Sequence, residues 1–278
     1  MKLITKTKTL HLNERTHIMG ILNVTPDSFS DGGKYTTVDR AVEQAIKMEE
    51  EGADMIDIGG ESTRPGHVPV NSKEEIERVV PVIKAVKEHV NIPVSVDTFK
   101  SDTARHAVEA GADIINDVWG AKKDPEIAKV AADLNVPIIL MHNREDENYR
   151  SLMDDMKMDL QGSIDIAVNA GVPKDNIILD PGVGFAKSAA DDNLMVMNRL
   201  DELVQMGYPF LLATSRKRFI GSTLEIKEPS KRDIGTGATT CLGIVKGAHI
   251  VRVHNVKVNV ELARMMDAML RKGETDNG

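Results

Sequence analysis

Gly52-Ala53-Asp54-Met55-Ile56-Asp57 returns further along the chain as Gly111-Ala112-Asp113-Ile114-Ile115-Asn116, and more faintly as Gly247-Ala248-His249-Ile250-Val251-Arg252. Each copy reads as a glycine that ends a helix, a tight loop and a short apolar strand. Asn91-Ile92-Pro93, Asn135-Val136-Pro137 and Gly207-Tyr208-Pro209 stand in the same place before other apolar runs. The strand candidates on either side of the repeat are Ile18–Leu22, Met55–Ile58, Val94–Val96, Ile114–Ile115, Ile138–Leu140, Ile177–Leu179, Phe210–Ala213 and Ile250–Val253. About eight strands is the number that closes a (β/α)8 barrel. Near-continuous hydrophobicity suits parallel strands covered on both faces.

The segments between the strands have helical spacing. Val42, Ala45, Ile46 and Met48 mark one face of Val38–Glu51, and Ile76, Val79, Val80 and Ile83 mark one face of Glu74–Glu88. Pro81 inside the second segment predicts a kink or a start one turn later. Asn193–Met206 and Val258–Arg271 read as two more helices. Ahead of the first strand, Leu3–Ile18 alternates around Asn13-Glu14, which predicts a hairpin plugging the N-terminal end of the barrel. The expected fold is therefore α/β, one (β/α)8 TIM barrel with an N-terminal β-hairpin, with residues 1–278 forming a single domain. The runner-up is a doubly wound open sheet, but no Gly-x-Gly-x-x-Gly turn follows the first strand.

Composition narrows the class. The chain has 278 residues, 35 Lys plus Arg against 43 Asp plus Glu, and a formal net charge of −8. An acidic balance argues against a general nucleic-acid footprint, and an aromatic content of 3% is too sparse for base-stacking platforms. The one cysteine, Cys241, excludes an intrachain disulfide and a thiolate metal cluster, which fits a reducing compartment. No apolar run approaches the roughly 20 residues of a membrane helix, and Met1–His17 lacks a signal-peptide core. A cytoplasmic protein with no membrane and no nucleic-acid partner is expected.

Barrel active sites lie at the C-terminal ends of the strands. The residues ending or following the eight runs are Asn23; Glu61-Ser62-Thr63-Arg64; Asp97; Asn116; His142; Asp180; Ser215-Arg216-Lys217; and Arg252 with His254. A polar residue at one strand end only marks the exit from the core. Polar groups delivered to one rim by every strand point to a site. The first two loops, Thr25–Thr36 and Gly59–Ser72, are long and rich in glycine, proline and short polar residues, as lids and binding loops are.

These residues carry a family resemblance. Met19-Gly20-Ile21-Leu22-Asn23-Val24-Thr25-Pro26-Asp27-Ser28-Phe29-Ser30-Asp31-Gly32-Gly33 and Asp57-Ile58-Gly59-Gly60-Glu61-Ser62-Thr63-Arg64-Pro65-Gly66 resemble the two signatures of the dihydropteroate synthase family. Ser95-Val96-Asp97-Thr98, Ile115-Asn116-Asp117-Val118, Asp180-Pro181-Gly182-Val183-Gly184-Phe185, Ser215-Arg216-Lys217 and Arg252-Val253-His254 follow in the family's order across nearly the whole chain. One stretch departs: Asn143–Tyr149 is strongly polar and lacks the family's Gln-Gly character, so no role is assigned to the fifth loop.

The resemblance implies a transferase of folate biosynthesis. It would join 4-aminobenzoate to 6-hydroxymethyl-7,8-dihydropterin diphosphate, releasing diphosphate and giving 7,8-dihydropteroate. The residues suit that chemistry. A pterin edge is rich in N–H donors, and a buried carboxylate can accept two such bonds. Asp180 is the candidate for that edge, although it also suits an N-cap before Pro181-Gly182. Asn116 offers both a donor and an acceptor, Lys217 can donate to ring acceptors, and Asp97 can meet the opposite ring edge. Asn23, Thr63, Arg64, Arg252 and His254 are the diphosphate candidates, and Phe29, Arg64, Pro65 and Ser215 the aminobenzoate candidates. Asp97, Lys217, Arg252 and His254 are taken as catalytic. Magnesium bridging phosphate oxygens is the expected cofactor, with Asn23 as its protein ligand.

No side chain stands out as a covalent nucleophile, so a leaving-group-first, SN1-like substitution is expected. Sulfonamides, which mimic 4-aminobenzoate, are the expected inhibitors. Two other readings stay open. One is a methyltetrahydrofolate-dependent methyltransferase, which would share Asp97, Asn116 and Asp180 but not need both long loops. The other is a catalytically silent pterin-binding barrel, which would be expected to lose Lys217, Arg252 or the first loop. Met265, Met266 and Met269 suit either the core, the favoured reading, or a homodimer interface.

Overall fold

The computed structural model describes residues 1–24, 37–61 and 69–275, with side chains to residue 270. The chain opens with β1 (Lys2–Ile4) and β2 (Thr9–His11), an antiparallel pair. Eight parallel strands follow: β3 (His17–Asn23), β4 (Met55–Gly59), β5 (Val94–Asp97), β6 (Ile114–Asp117), β7 (Ile138–Met141), β8 (Ile177–Asp180), β9 (Leu211–Leu212) and β10 (Ile250–Val253). Each pairs with the next, β10 pairs back onto β3, and a bridge between Leu179 and Phe210 joins β8 to β9. The sheet thus closes on itself, as the repeat implied.

The helices on the outside are α1 (Thr37–Glu50), α2 (Ser72–Lys87), α3 (Ser101–Glu109), α4 (Glu126–Asp133) and α5 (Leu152–Asn169). They continue as α6 (Ala190–Asn198), α7 (Leu200–Val204), α8 (Arg218–Thr223), α9 (Asp233–Val245) and α10 (Val256–Thr275). Helix α2 begins before the predicted point, because the Asn71 side chain caps it by accepting from Glu74 N at 2.9 Å. It also runs through Pro81. That residue and Glu77, whose carbonyl loses its partner, both lie on the exposed face where water can replace the bond. The segment expected as one helix over Asn193–Met206 is two, α6 and α7, divided at Arg199.

The hairpin is present, but its turn is not at Asn13-Glu14. It lies at Thr5–Lys8, where the Thr5 hydroxyl donates to the Lys8 carbonyl at 2.8 Å and accepts from the Thr7 and Lys8 N–H groups. Leu3, Leu10 and Leu12 are buried with Met19, Met55, Ile114, Ile139, Ile178, Leu211, Ala213 and Ile250, which fill the barrel interior. The hairpin therefore seals the N-terminal end. Asp113 fastens it: its Oδ1 accepts from Thr7 N at 3.0 Å and Thr7 Oγ1 at 2.8 Å, while Lys87 Nζ reaches Oδ2 at 2.7 Å.

The repeat has a physical meaning at this end. Asp54 Oδ2 accepts the N–H of Ile18 at 2.9 Å, Asp113 Oδ2 accepts that of Val94 at 3.0 Å, and His249 Nδ1 accepts that of Phe210 at 3.2 Å. In each copy the third residue satisfies the N–H at the start of the neighbouring strand, a group that would otherwise be buried without a partner.

Side chains two apart in a strand share a face. Met55 and Asp57, Ile114 and Asn116, Ile178 and Asp180, and Ile250 and Arg252 are such pairs. The first of each pair belongs to the apolar interior cluster. The second forms a polar layer directly above it, at the C-terminal mouth.

Candidate active site

The polar layer is tied together by Arg252. Its Nε donates to Asp57 Oδ2 at 2.6 Å, and its Nη2 donates to Asp97 Oδ2 at 2.8 Å. Asn116 Nδ2 also donates to Asp57 Oδ2, at 3.0 Å. Asp57 is completely buried, and its Oδ1 has no hydrogen-bond partner among the described residues. Burial, together with the carboxylates of Asp57, Glu75 and Asp117, pushes Asp97 well above the usual carboxylate range against the pull of Arg252.

Asp180 is 3% exposed, and its Oδ1 accepts the Gly182 N–H at 2.7 Å, so it does cap the following turn. Its Oδ2 and the second lone pair of Oδ1 are left to accept from a ligand. Burial pushes its carboxyl above the usual carboxylate range, with Lys217 opposing. Lys217 donates to the Val183 carbonyl, and its Nζ lies 4.7 Å from the centre of the Phe185 ring. Burial brings its ammonium down to about 8. Asp97, Asn116, Asp180, Lys217 and Arg252 are thus brought to one end of the barrel, as the strand-end reading expected.

Arg252 and His254 do not share one environment. Arg252 turns to Asp57 and Asp97, whereas His254 lies one residue beyond β10 against Ser215. Ser215 Oγ is 2.9 Å from His254 Nδ1 and accepts the His254 N–H at 3.1 Å. Two residues given separate duties from the sequence therefore form one pair. Arg216, between Ser215 and Lys217, has φ 59° and points away, making a two-point contact with Asp233 at 2.7 and 2.9 Å.

Asn23 ends β3 in register with Gly59, which is in turn in register with Asp97. A Cβ on Gly59 would sit 3.7 Å from both Asn23 Oδ1 and Asp97 Oδ2, so both side chains reach the space over Gly59. No cluster of three or more His, Cys, Asp or Glu suited to a metal occurs among the described residues. A single neutral oxygen at the rim fits magnesium carried mainly by phosphate oxygens and water, and does not fit a resident metal held by protein alone. Phe29, Thr63, Arg64 and Pro65 lie outside the described residues.

Above the polar layer is a cavity of about 250 Å³ lined by Glu61, Glu75, Asp97, Thr98, Phe99, Val118, Trp119, Asn143, Arg144 and Phe185. Sequence reasoning missed several of these. Lys100 bridges Glu61 and Glu75, reaching Glu75 Oε2 at 2.9 Å, and Thr98 and Thr103 donate to that same oxygen. Burial raises Glu75, with Lys100 opposing. Asn143 and Arg144 bring the fifth loop into the wall, although that loop was left without a role. Asp57 had a signal: the internal repeat equates it with Asn116.

The comparisons agree with this geometry. The profile of the family described as pterin binding enzyme matches residues 19–254. Dihydropteroate synthase of Bacillus subtilis is 58% identical over 274 residues, 99% of this chain and 95% of the relative. The structure of Xanthomonas albilineans dihydropteroate synthase with 4-aminobenzoic acid has a TM-score of 0.93 at 41% identity, covering 97% of this chain and 98% of that one. The same enzyme in complex with 7,8-dihydropteroate gives 0.90 at 39%, covering 97% and 99%. The Yersinia pestis enzyme in a sulfonamide drug complex gives 0.90 at 39%, covering 98% and 100%. The chain belongs to the pterin-binding enzymes and, within them, to the dihydropteroate synthase family. It is a transferase of folate biosynthesis. Among the described residues no helix is long and apolar enough to cross a membrane.

Proposed function

We propose that this chain condenses 6-hydroxymethyl-7,8-dihydropterin diphosphate with 4-aminobenzoate, giving 7,8-dihydropteroate and diphosphate. The observation that carries the reading is the polar layer of Asp97, Asn116, Asp180, Lys217 and Arg252 at the mouth of an otherwise apolar barrel. Asp180 accepts from the donor edge of the pterin, Asn116 matches a mixed donor and acceptor position, and Lys217 donates to ring acceptors. Asp97, held by Arg252, faces the opposite edge and offsets positive charge developing on the ring.

The diphosphate is met at the rim by Asn23, Thr63, Arg64, Arg252 and His254. Magnesium, when bound, neutralises phosphate charge there, with Asn23 as the protein ligand. The C–O bond to diphosphate breaks first, and the electron-rich pterin spreads the resulting charge from its exocyclic carbon. The amine of 4-aminobenzoate then attacks that carbon and loses a proton. Phe29, Arg64 and Pro65 shape the aminobenzoate pocket, with Ser215 towards its carboxylate.

The test incubates purified protein with dihydropterin diphosphate, 4-aminobenzoate and magnesium and follows dihydropteroate. No product would reject the assignment. The order of bond changes is tested by labelling the bridging oxygen of the dihydropterin diphosphate. Scrambling of the label without aminobenzoate supports departure first, and its absence favours concerted displacement.

The chain is also proposed to form a homodimer. Ile234 on α9 is 88% exposed, and Met265 and Met269 on α10 are 61% and 50% exposed. The favoured reading of these two methionines as core is corrected: both face outward from α10, which packs on α9, while Met266 packs on the core. Equilibrium sedimentation tests this, and a monomer at micromolar concentration would reject it.

A further inference from the structure

A lysine in a loop ordinarily reaches solvent, yet Lys187, between β8 and α6, is 2% exposed. Its Nζ donates to the Phe185 carbonyl at 2.7 Å and lies 3.1 Å from Nδ1 of His142. On the far side of that imidazole, Nε2 is 3.0 Å from Asp159 Oδ2. Asp159 is held below the usual carboxylate range, by His142 and neighbouring cations against burial, so it accepts. Nε2 therefore carries the proton, and Nδ1 is the nitrogen that accepts from Lys187. Burial holds His142 neutral, down to about 4. The result is a directed chain from Asp159 on α5, through a buried imidazole, to the buried Lys187 amine, which burial brings down to about 7.

That chain ends on a strained loop. Gly182, Gly184 and Ala186 have φ of 60°, 86° and 49°. A Cβ at residue 182 would fall 1.9 Å from the His142 carbonyl oxygen, so only glycine fits there. A left-handed alanine persists only where its surroundings hold it. Here Tyr149 Oη donates to the Ala186 carbonyl at 2.9 Å, Asn193 takes the Gly184 N–H at 2.6 Å, and Lys187 holds the Phe185 carbonyl. The Phe185 ring lines the cavity and faces the Lys217 ammonium.

We propose that Lys187 is a positioning residue for the pterin end of the site: backed by His142 and Asp159, it fixes the Phe185 carbonyl, and with it the ring against which Lys217 is set. Enclosed at 2% exposure, it acts through Phe185 and is not assigned a catalytic role. This deepens the pterin reading of the strand-end layer and rests on it.

The test is Lys187→Met, which keeps length and removes the donor, with calorimetric titration of 6-hydroxymethylpterin diphosphate and steady-state kinetics. The pterin diphosphate is expected to bind at least tenfold more weakly and its KM to rise in step, while the KM for 4-aminobenzoate stays within twofold. Lys187→Gln, which keeps an N–H donor, should recover part of the loss. If the single variant does not fold, the double variant Lys187→Met, His142→Phe replaces the polar pair with an apolar one, and must show the same pterin loss. A folded variant that binds pterin diphosphate like wild type, or that loses both substrates equally, overturns the proposal. Wild-type protein that does not bind pterin diphosphate would instead refute the pterin reading itself.

Discussion

Asn116 and Asp57 stand at the same place in an internal repeat, and the Asn116 amide donates to the Asp57 carboxylate across the barrel mouth at 3.0 Å. The repeat that seals the strand starts with Asp54, Asp113 and His249 also sets the spacing of the layer above. Three residues on from each come Asp57, Asn116 and Arg252, which are linked by hydrogen bonds. Structural and functional layers are thus written by one pattern, offset along the strand.

Asp57→Ala should unfold more easily than wild type by about 3–5 kcal/mol, because Arg252 loses one of its two buried carboxylates. Urea denaturation measures this. A loss below about 1 kcal/mol would mean that Asp97 alone satisfies the guanidinium.

Asp113→Ala should cost a similar amount, about 3–5 kcal/mol, but at the other end of the barrel. It removes the partner of Val94 N, Thr7 and Lys87 together. Turnover per folded molecule should stay near wild type, since the hairpin is remote from the mouth. A fall in turnover without a fall in stability would contradict this division.

Asp54 gives a pH dependence with a definite sign. Burial alone would raise it, but His17, Arg15 and the Ile18 N–H outweigh burial and hold it at about 2. A depressed acid stabilises the fold above its unfolded value, about 3.9, and loses that contribution as pH falls towards the folded value. The stability advantage of wild type over Asp54→Asn should therefore be full at pH 6 and shrink between pH 4 and 2, by about 2 kcal/mol. An advantage that grows on acidification would refute the assignment.

Much of this was legible in the sequence because apolar runs, and the polar residues that end them, follow directly from strand burial. Asn116, Asp97 and Asp180 were found that way. Asp57 was not, because it sits inside its apolar run, flanked by Ile56 and Ile58, and looks like an interruption of the strand. The hairpin turn was misplaced because Thr5-Lys6-Thr7-Lys8 has no glycine, proline, asparagine or aspartate. A threonine hydroxyl does their work. Lys187 and Glu75 carried no signal at all, since a charged residue in a loop or on a helix is ordinarily solvated. Only the packing of distant elements buries them.

Sulfonamides should compete with 4-aminobenzoate and not with the pterin diphosphate, because the two proposed pockets are built from different parts of the chain. Initial-rate inhibition patterns decide this. Competition against pterin diphosphate would place the sulfonamide in the strand-end layer instead.

Whether the strand-end layer binds the pterin is decided by calorimetry on Asp180→Ala. Two charge-assisted bonds worth roughly 1.5–3 kcal/mol each would be lost. A folded variant should bind 6-hydroxymethylpterin diphosphate at least about a hundredfold more weakly than wild type. A folded Asp180→Ala protein with wild-type affinity would contradict it.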